Sequence, residues 1–246
     1  MSNTSKIFSE CENIVFDGNF SIAKNWKAEL KDRVLIGIIP NYIPREIIHA
    51  AGGLAVGVVG SEYRDPEHHK SSQEDPHSCS MLTGIFELVN SGAHLDFDGF
   101  ILPTQCNAMK AYPEIIEITK TSKFIKYISF PQYFQTIIGD VINNYFVHDV
   151  LEEIHKINGV RVSKESFEDS IQLYKSNLRL TEKIYAIRQR YPDKISQEDL
   201  YNTVFSGLLI PIEKHNEILK NINDLLAEEV NEYSDNLFEF FSGAFC

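Results

Sequence analysis

The sequence predicts an α/β protein, a parallel flavodoxin- or Rossmann-like sheet domain followed by a helical block. Three observations predict it. Up to Pro131, short runs rich in β-branched residues and closed by proline alternate with segments of helical spacing, the pattern of a parallel sheet with helices on its faces. After Pro131 apolar residues recur only at helical spacing. Near Asn236 an apolar, aromatic run announces a new strand.

In order, the segment from about Phe8 to Leu30 reads as helical, with Trp26 as its large apolar anchor. Arg33 to Pro40 is a buried strand closed by a breaker. Pro44 to Gly53 is a helix, with proline in the first turn and glycines where it should stop. Ala55 to Val59 is a second strand, and Gly60 to Ser78 a polar surface loop. Ser80 to Ser91 has helical spacing and closes at Gly92. Phe97 to Pro103 is a third strand, a helix begins at Cys106, and Phe124 to Pro131 is a fourth strand. Helical spacing then runs through Tyr145 to Ile157, Phe167 to Arg190 and Ile218 to Val230. The expected organisation is an N-terminal helical segment over 1–30, an α/β domain over 31–134, a helical block over 135–231, and over 232–246 only the first strand of a second α/β domain.

Composition narrows the function classes. The 246 residues are 43% hydrophobic and 24% charged, ordinary for a soluble globular chain large enough to bury a sizeable core. A formal net charge of −12 with no basic stripe speaks against a nucleic-acid partner. The longest apolar stretch, near Leu54 to Val59, is far short of the roughly 20 residues that span a bilayer. The N-terminus lacks the apolar core of a signal peptide, so the chain reads as cytoplasmic with no membrane partner. Four cysteines in that compartment do not form a disulfide framework, which leaves metal binding, catalysis or burial.

Cys79 and Cys106 each stand where a loop or strand hands over to a helix. Unpaired backbone N–H groups and the helix dipole favour the thiolate there, the form that binds metal or attacks an electrophile. In an open parallel sheet both loops can converge on the carboxyl edge, where ligands collect. No C-x-x-C pair pins a metal, and small buried cysteines are common, so both readings stand on spacing alone. His68, His69 and His77 offer a second, looser metal-ligand group in a polar loop. Glu46 and His49, on the helix after the first strand, suit acid–base work; the plainer roles are a first-turn dipole partner and a hydrogen-bonded buried side chain. There is no G-x-G-x-x-G after the first strand, no P-loop, no G-x-S-x-G elbow and no H-E-x-x-H, so the sequence offers no support for a dinucleotide site, ATP hydrolysis by this chain, or those hydrolase chemistries.

Several segments carry a resemblance. They are Cys11 to Ala28, Tyr42 to Gly52 with its proline-to-glycine helix, Leu95 to Gly99, the P-x-x-C segment Leu102 to Asn107, Pro131-Gln132, Leu209 to Asn216, and Ser242 to Cys246. In these the chain resembles the 2-hydroxyacyl-CoA dehydratase and benzoyl-CoA reductase family, most of all the smaller of the two substrate-site subunits of the ATP-dependent reductases. The resemblance implies a [4Fe–4S] cluster held by three cysteines, here Cys79, Cys106 and Cys246, with acyl-CoA bound between the domains of two homologous subunits. It implies a separate ATP-hydrolysing iron–sulfur activator that delivers single low-potential electrons, in keeping with the absent P-loop. In the reductases the electron enters the aromatic ring; in the dehydratases it makes a ketyl radical that expels hydroxide. Glu46 matches an acidic position near the family's active site, which implies proton transfer. Members continue through a whole second α/β domain, so the resemblance implies a truncated chain. Gly53-Leu54-Ala55-Val56 replaces the family's usual Met-Leu-Pro run. The expected activity is that of an iron–sulfur subunit in anaerobic, ATP-coupled reduction of an aromatic acyl-CoA. The alternatives are a 2-hydroxyacyl-CoA dehydratase subunit and a non-catalytic partner subunit.

Overall fold

The computed structural model describes residues 3–39, 43–58, 88, 91–103, 122–128 and 136–230. Four strands, β1 (Val34–Ile38), β2 (Gly53–Gly57), β3 (Gly99–Pro103) and β4 (Phe124–Ile128), form one sheet in the order β2-β1-β3-β4. Every pair is parallel. The fold is α/β, as the alternation of strand and helix predicts. β1 and β2 are buried on both faces, which is why they read as continuous apolar runs.

Alternate residues serve opposite layers. Leu35, Leu54, Val56, Phe100 and Leu102 face a core shared with helices α1 (Asn3–Val15), α5 (Lys164–Arg190) and α7 (Ile212–Val230). Val34, Ile36, Ile38, Ala55 and Ile101 face the other side, under α3 (Arg45–Ala50) and α4 (Thr136–Asn158). Gly37 has to be glycine, because a Cβ there would meet the Phe100 ring at 2.4 Å.

The first predicted helix is two. After α1 the chain turns at Asp17, whose carboxylate accepts from the backbone N–H groups of Asn19 at 3.2 Å and Ser21 at 2.6 Å. Phe20 takes a left-handed φ of 53° and buries its ring edge-on against Phe97, and α2 (Ser21–Glu29) follows. Trp26 lies under the Arg33 guanidinium, 4.5 Å from its ring centroid.

The helical block holds α4, α5, α6 (Gln197–Ser206) and α7. Ser163 and Ser166 exchange capping bonds of 3.0 Å at the start of α5, and Ser196 accepts from the Asp199 N–H at 3.0 Å to start α6. Helices α5 and α7 run parallel, for Asn216 donates to the Leu173 carbonyl and Asn223, one heptad on, to the Leu180 carbonyl. The turn after α6 then reaches the sheet, where the N–H of Gly57, last residue of β2, donates to the Leu208 carbonyl at 2.7 Å. Among the described residues no helix is long and apolar enough to cross a membrane. The expected strand after Asn236 and the helices at Ser80 and Cys106 lie outside the described residues, apart from Leu88 and Ser91.

Candidate functional site

In an open parallel sheet the carboxyl edge is where loops diverge and ligands bind. The chain leaves β1 there and enters α3 at Arg45. From this edge α3 runs back toward the amino edge, where the Gly52 carbonyl accepts from the Val34 N–H, and on the way it meets the distant segment from Gly207 to Glu213. Arg45 donates through Nη1 to the Gly207 carbonyl at 2.7 Å, and its guanidinium stacks 5.1 Å from the Tyr174 ring centroid. His49, in the last turn of α3, places Nε2 at 2.9 Å from a Glu213 carboxylate oxygen on α7. Its Nδ1 is 3.0 Å from the hydroxyl of Ser170 on α5, a fully buried residue.

The hydrogen-bond directions are fixed by counting protons. Ser170 has one hydroxyl proton and donates it to the Glu46 carbonyl at 2.7 Å. His49 Nδ1 therefore donates to the Ser170 oxygen, while Nε2 donates to the Glu213 carboxylate. The hydrogen bond from His49 holds the Glu213 carboxyl below its ordinary value, against the opposing effect of burial. Tyr174 packs edge-on to the His49 ring at 6.0 Å. Burial pushes its hydroxyl up to about 12 despite the nearby Arg45, so it is a neutral phenol throughout the physiological range.

Behind this layer sits a neutral histidine. His215 is buried, accepts at Nδ1 from Asn177 at 2.7 Å and donates from Nε2 to the Thr203 carbonyl at 2.9 Å. Burial pushes it down to about 4. Asn177 also donates to Asn216 at 2.9 Å, which locks α5 to α7 beneath the Glu213 end of the network.

Of the residues singled out from sequence, Glu46 stands in the first turn of α3, half-buried beside Tyr174. Its carboxyl makes no hydrogen bond or ion pair with another described residue. His49 takes the hydrogen-bonded role. Cys79, Cys106 and Cys246 lie outside the described residues, as do His68, His69 and His77. The strand preceding Cys106 ends on the carboxyl edge, at Pro103. Cys11, the remaining cysteine, is fully buried against Ser206 and Thr203, and burial pushes its thiol up. Among the described residues no group of three or more His, Cys, Asp or Glu side chains is arranged to hold a metal ion.

Sequence reasoning missed Ser170, Tyr174 and Glu213. A signal existed for the first two: Ser170, Tyr174 and Asn177 fall at i, i+4 and i+7, a polar stripe on one face of α5. At the opposite, amino edge, Asp98 receives the Leu35 N–H at 2.9 Å and the ammonium groups of Lys27 and Lys123, each at 2.8 Å.

Residues 40–239 match the family described as 2-hydroxyglutaryl-CoA dehydratase, D-component. Among curated proteins the chain is similar to a benzoyl-CoA reductase subunit of Thauera aromatica, 28% identical over 99% of this chain and 63% of that protein. It is 25% identical to the (R)-phenyllactyl-CoA dehydratase beta subunit of Clostridium sporogenes, over 91% of this chain and 59% of the relative. With the lactoyl-CoA dehydratase beta subunit of Anaerotignum propionicum the identity is 24%, over 93% and 59%. The chain thus spans about 60% of the length of the curated relatives it matches. A family match over residues 40–239, with reductase and dehydratase subunits aligning along nearly all of this sequence, makes the chain a member of the 2-hydroxyglutaryl-CoA dehydratase D-component family.

Proposed function

We propose that the chain is the iron–sulfur subunit of a benzoyl-CoA reductase-like enzyme, working in the cytoplasm in ATP-coupled, one-electron reduction of an aromatic acyl-CoA. The acyl-CoA cleft is completed by a homologous second subunit, and a separate ATP-hydrolysing iron–sulfur activator supplies the electrons. The observation that supports this reading is the packing of α3, which descends from the carboxyl end of β1, against Gly207, Tyr174 and Glu213, while the Glu46 carboxyl in its first turn has no hydrogen bond or ion pair with another described residue. α3 follows β1, and Cys106 follows β3; these strands flank the point where the sheet order reverses, the usual place for a ligand in such a sheet.

The donor chemistry suits a cluster. Iron–sulfur clusters are held by cysteine thiolates. The family resemblance implies Cys79, Cys106 and Cys246 as the three that hold the cluster, and Cys11 is buried in the core. When bound, the cluster supplies low-potential one-electron transfer. The chain's own residues do the rest. Glu46 moves a proton at the acyl substrate. Arg45, pinned by the Gly207 carbonyl and Tyr174, keeps a fixed positive charge beside it. The half-buried Tyr174, a neutral phenol, lines the site beside Arg45.

A 2-hydroxyacyl-CoA dehydratase subunit is the second reading, favoured by the family description and by the two dehydratase relatives. Product analysis separates them: a dienoyl-CoA for the reductase, an enoyl-CoA for the dehydratase. Anaerobic purification with iron and sulfide analysis tests the common part. Cys79→Ala, Cys106→Ala and Cys246→Ala should each lose iron while Cys11→Ala retains it. Iron content unchanged in the first three variants would overturn the cluster assignment.

A further inference from the structure

We propose that Ser170, His49 and Glu213 are positioning residues for Glu46, a relay across three helices that sets the direction of its carboxyl; this rests on the reading of Glu46 as the proton-transfer group. Helix α3 has six residues and Pro44 at its N-cap, with no side-chain capping bond. A helix that short has no independent stability, so its attitude is set by what grips it.

The grip is applied at Glu46 itself. Ser170 donates to the carbonyl of Glu46, and His49, three residues on and on the same face of α3, donates into the same hydroxyl oxygen. Glu213 then holds the far side of the imidazole. On the flank, Arg45 is anchored to Gly207 and Tyr174. Rotation and sliding of α3 are both blocked, by groups that leave the Glu46 carboxyl itself uncommitted among the described residues. Ser170 sits on α5 and Glu213 on α7, helices locked to each other by Asn177, Asn216 and Asn223, so the relay is seated on a rigid pair rather than on a loop.

A relay that positions a reacting group differs from simple glue in what its loss does. A displacement of about 1 Å at a reacting group costs on the order of 100-fold in turnover with little change in binding. The test uses the assembled enzyme, with its partner subunit and activator, under anaerobic conditions. Benzoyl-CoA and (R)-phenyllactyl-CoA serve as probe substrates. Ser170→Ala and Glu213→Gln should each lower kcat by roughly 10- to 100-fold while KM stays within about threefold. Glu213 is largely exposed on the surface, so Glu213→Gln folds even if the buried Ser170→Ala does not. In a Glu46→Gln background, Glu213→Gln should add no further loss to the residual turnover, because it acts through the carboxyl already removed.

Two results overturn the proposal. One is kcat within about twofold of the parent in Glu213→Gln while Glu46→Gln is crippled. The other is a Glu213→Gln loss that multiplies in full onto that of Glu46→Gln. Full turnover in Glu46→Gln overturns the Glu46 reading first, and the relay with it, so the two failures are told apart by that single variant.

Discussion

Replacing Asp98 by asparagine removes one charge from the amino edge of the sheet and changes little in volume. Its carboxylate is 4% exposed and accepts from the Leu35 N–H, Lys27 and Lys123, tying α2, β1 and the start of β4 to the residue before β3. Asparagine keeps one acceptor for the Leu35 N–H but turns an amide NH2 toward the ammonium groups. Charge-assisted hydrogen bonds contribute about 1.5–3 kcal/mol when shielded. Lys27, at 28% side-chain exposure, falls near that range, whereas Lys123 at 58% is discounted to the about 0.5–1 kcal/mol of a solvated pair. Asp98→Asn should therefore destabilise by about 2–4 kcal/mol, and at about 2–4 °C per kcal/mol in a chain of this size the melting temperature should fall by roughly 5–15 °C.

The pH dependence sharpens the test. Burial pushes the Asp98 carboxyl up, but the hydrogen bonds from Lys123, Lys27 and Leu35 outweigh it and hold the group below its ordinary 3.8. A carboxyl depressed by folding stabilises fully above its unfolded value, and the stabilisation is lost as pH falls through the folded one. Urea unfolding of parent and variant from pH 7 to pH 3 should show a constant gap above about pH 5 that closes only below 3.8. A gap under about 0.5 kcal/mol at pH 7, or one that is unchanged at pH 3, refutes the argument.

Three other perturbations follow from contacts around the site. A Cβ on Gly207 would fall 2.3 Å from the His215 ring, which is held on both nitrogens, so Gly207→Ala should cost about 1–3 kcal/mol in thermal or urea unfolding. His215, pushed down to about 4 from an ordinary 6.5 by burial, binds its proton in the unfolded chain first. Stability should therefore fall as pH drops from 6.5 to 4, by up to about 1.4 kcal/mol per pH unit, and His215→Gln should flatten that slope in unfolding measured across the interval. Asn223→Ala removes the bond to the Leu180 carbonyl and should destabilise by about 1 kcal/mol, read as an earlier urea midpoint.

The class of the fold was legible because buried parallel strands are local runs of β-branched residues. Their ends were less so. β2 was expected from Ala55 and begins at Gly53, which pairs with Val34; the glycine read as a helix stop is the first strand residue, where a Cβ would meet Ile48 at 2.8 Å. The break at Asp17-Gly18-Asn19 and the Ser196–Asp199 cap of α6 were written in ordinary turn and capping chemistry, and a periodicity reading passes over both. At the site, Glu46 and His49 stood out because one strand and one helix start place them. Ser170 and Glu213 lie 124 and 164 residues away from their partners on α3, and no short-range pattern records a contact of that span.

The two edges of the sheet part company on one point, whether the fold uses up the charge it buries. Cys11–Ala28 and Leu95–Gly99, two of the resembling segments, meet at the amino edge through Lys27 and Asp98. There the carboxylate is fully consumed by two ammonium groups and a backbone amide, so folding alone accounts for it. From the carboxyl edge α3 runs down against α5 and α7, where Arg45, His49, Ser170 and Glu213 are all committed to holding it. The Glu46 carboxyl is not committed among the described residues, although it stands half-buried beside the Tyr174 phenol. Among the described residues the neighbours of Glu46 are held while its own carboxyl is not, which is the arrangement the proposed proton-transfer role requires. The proposed proton-transfer chemistry is therefore to be tested first at Glu46.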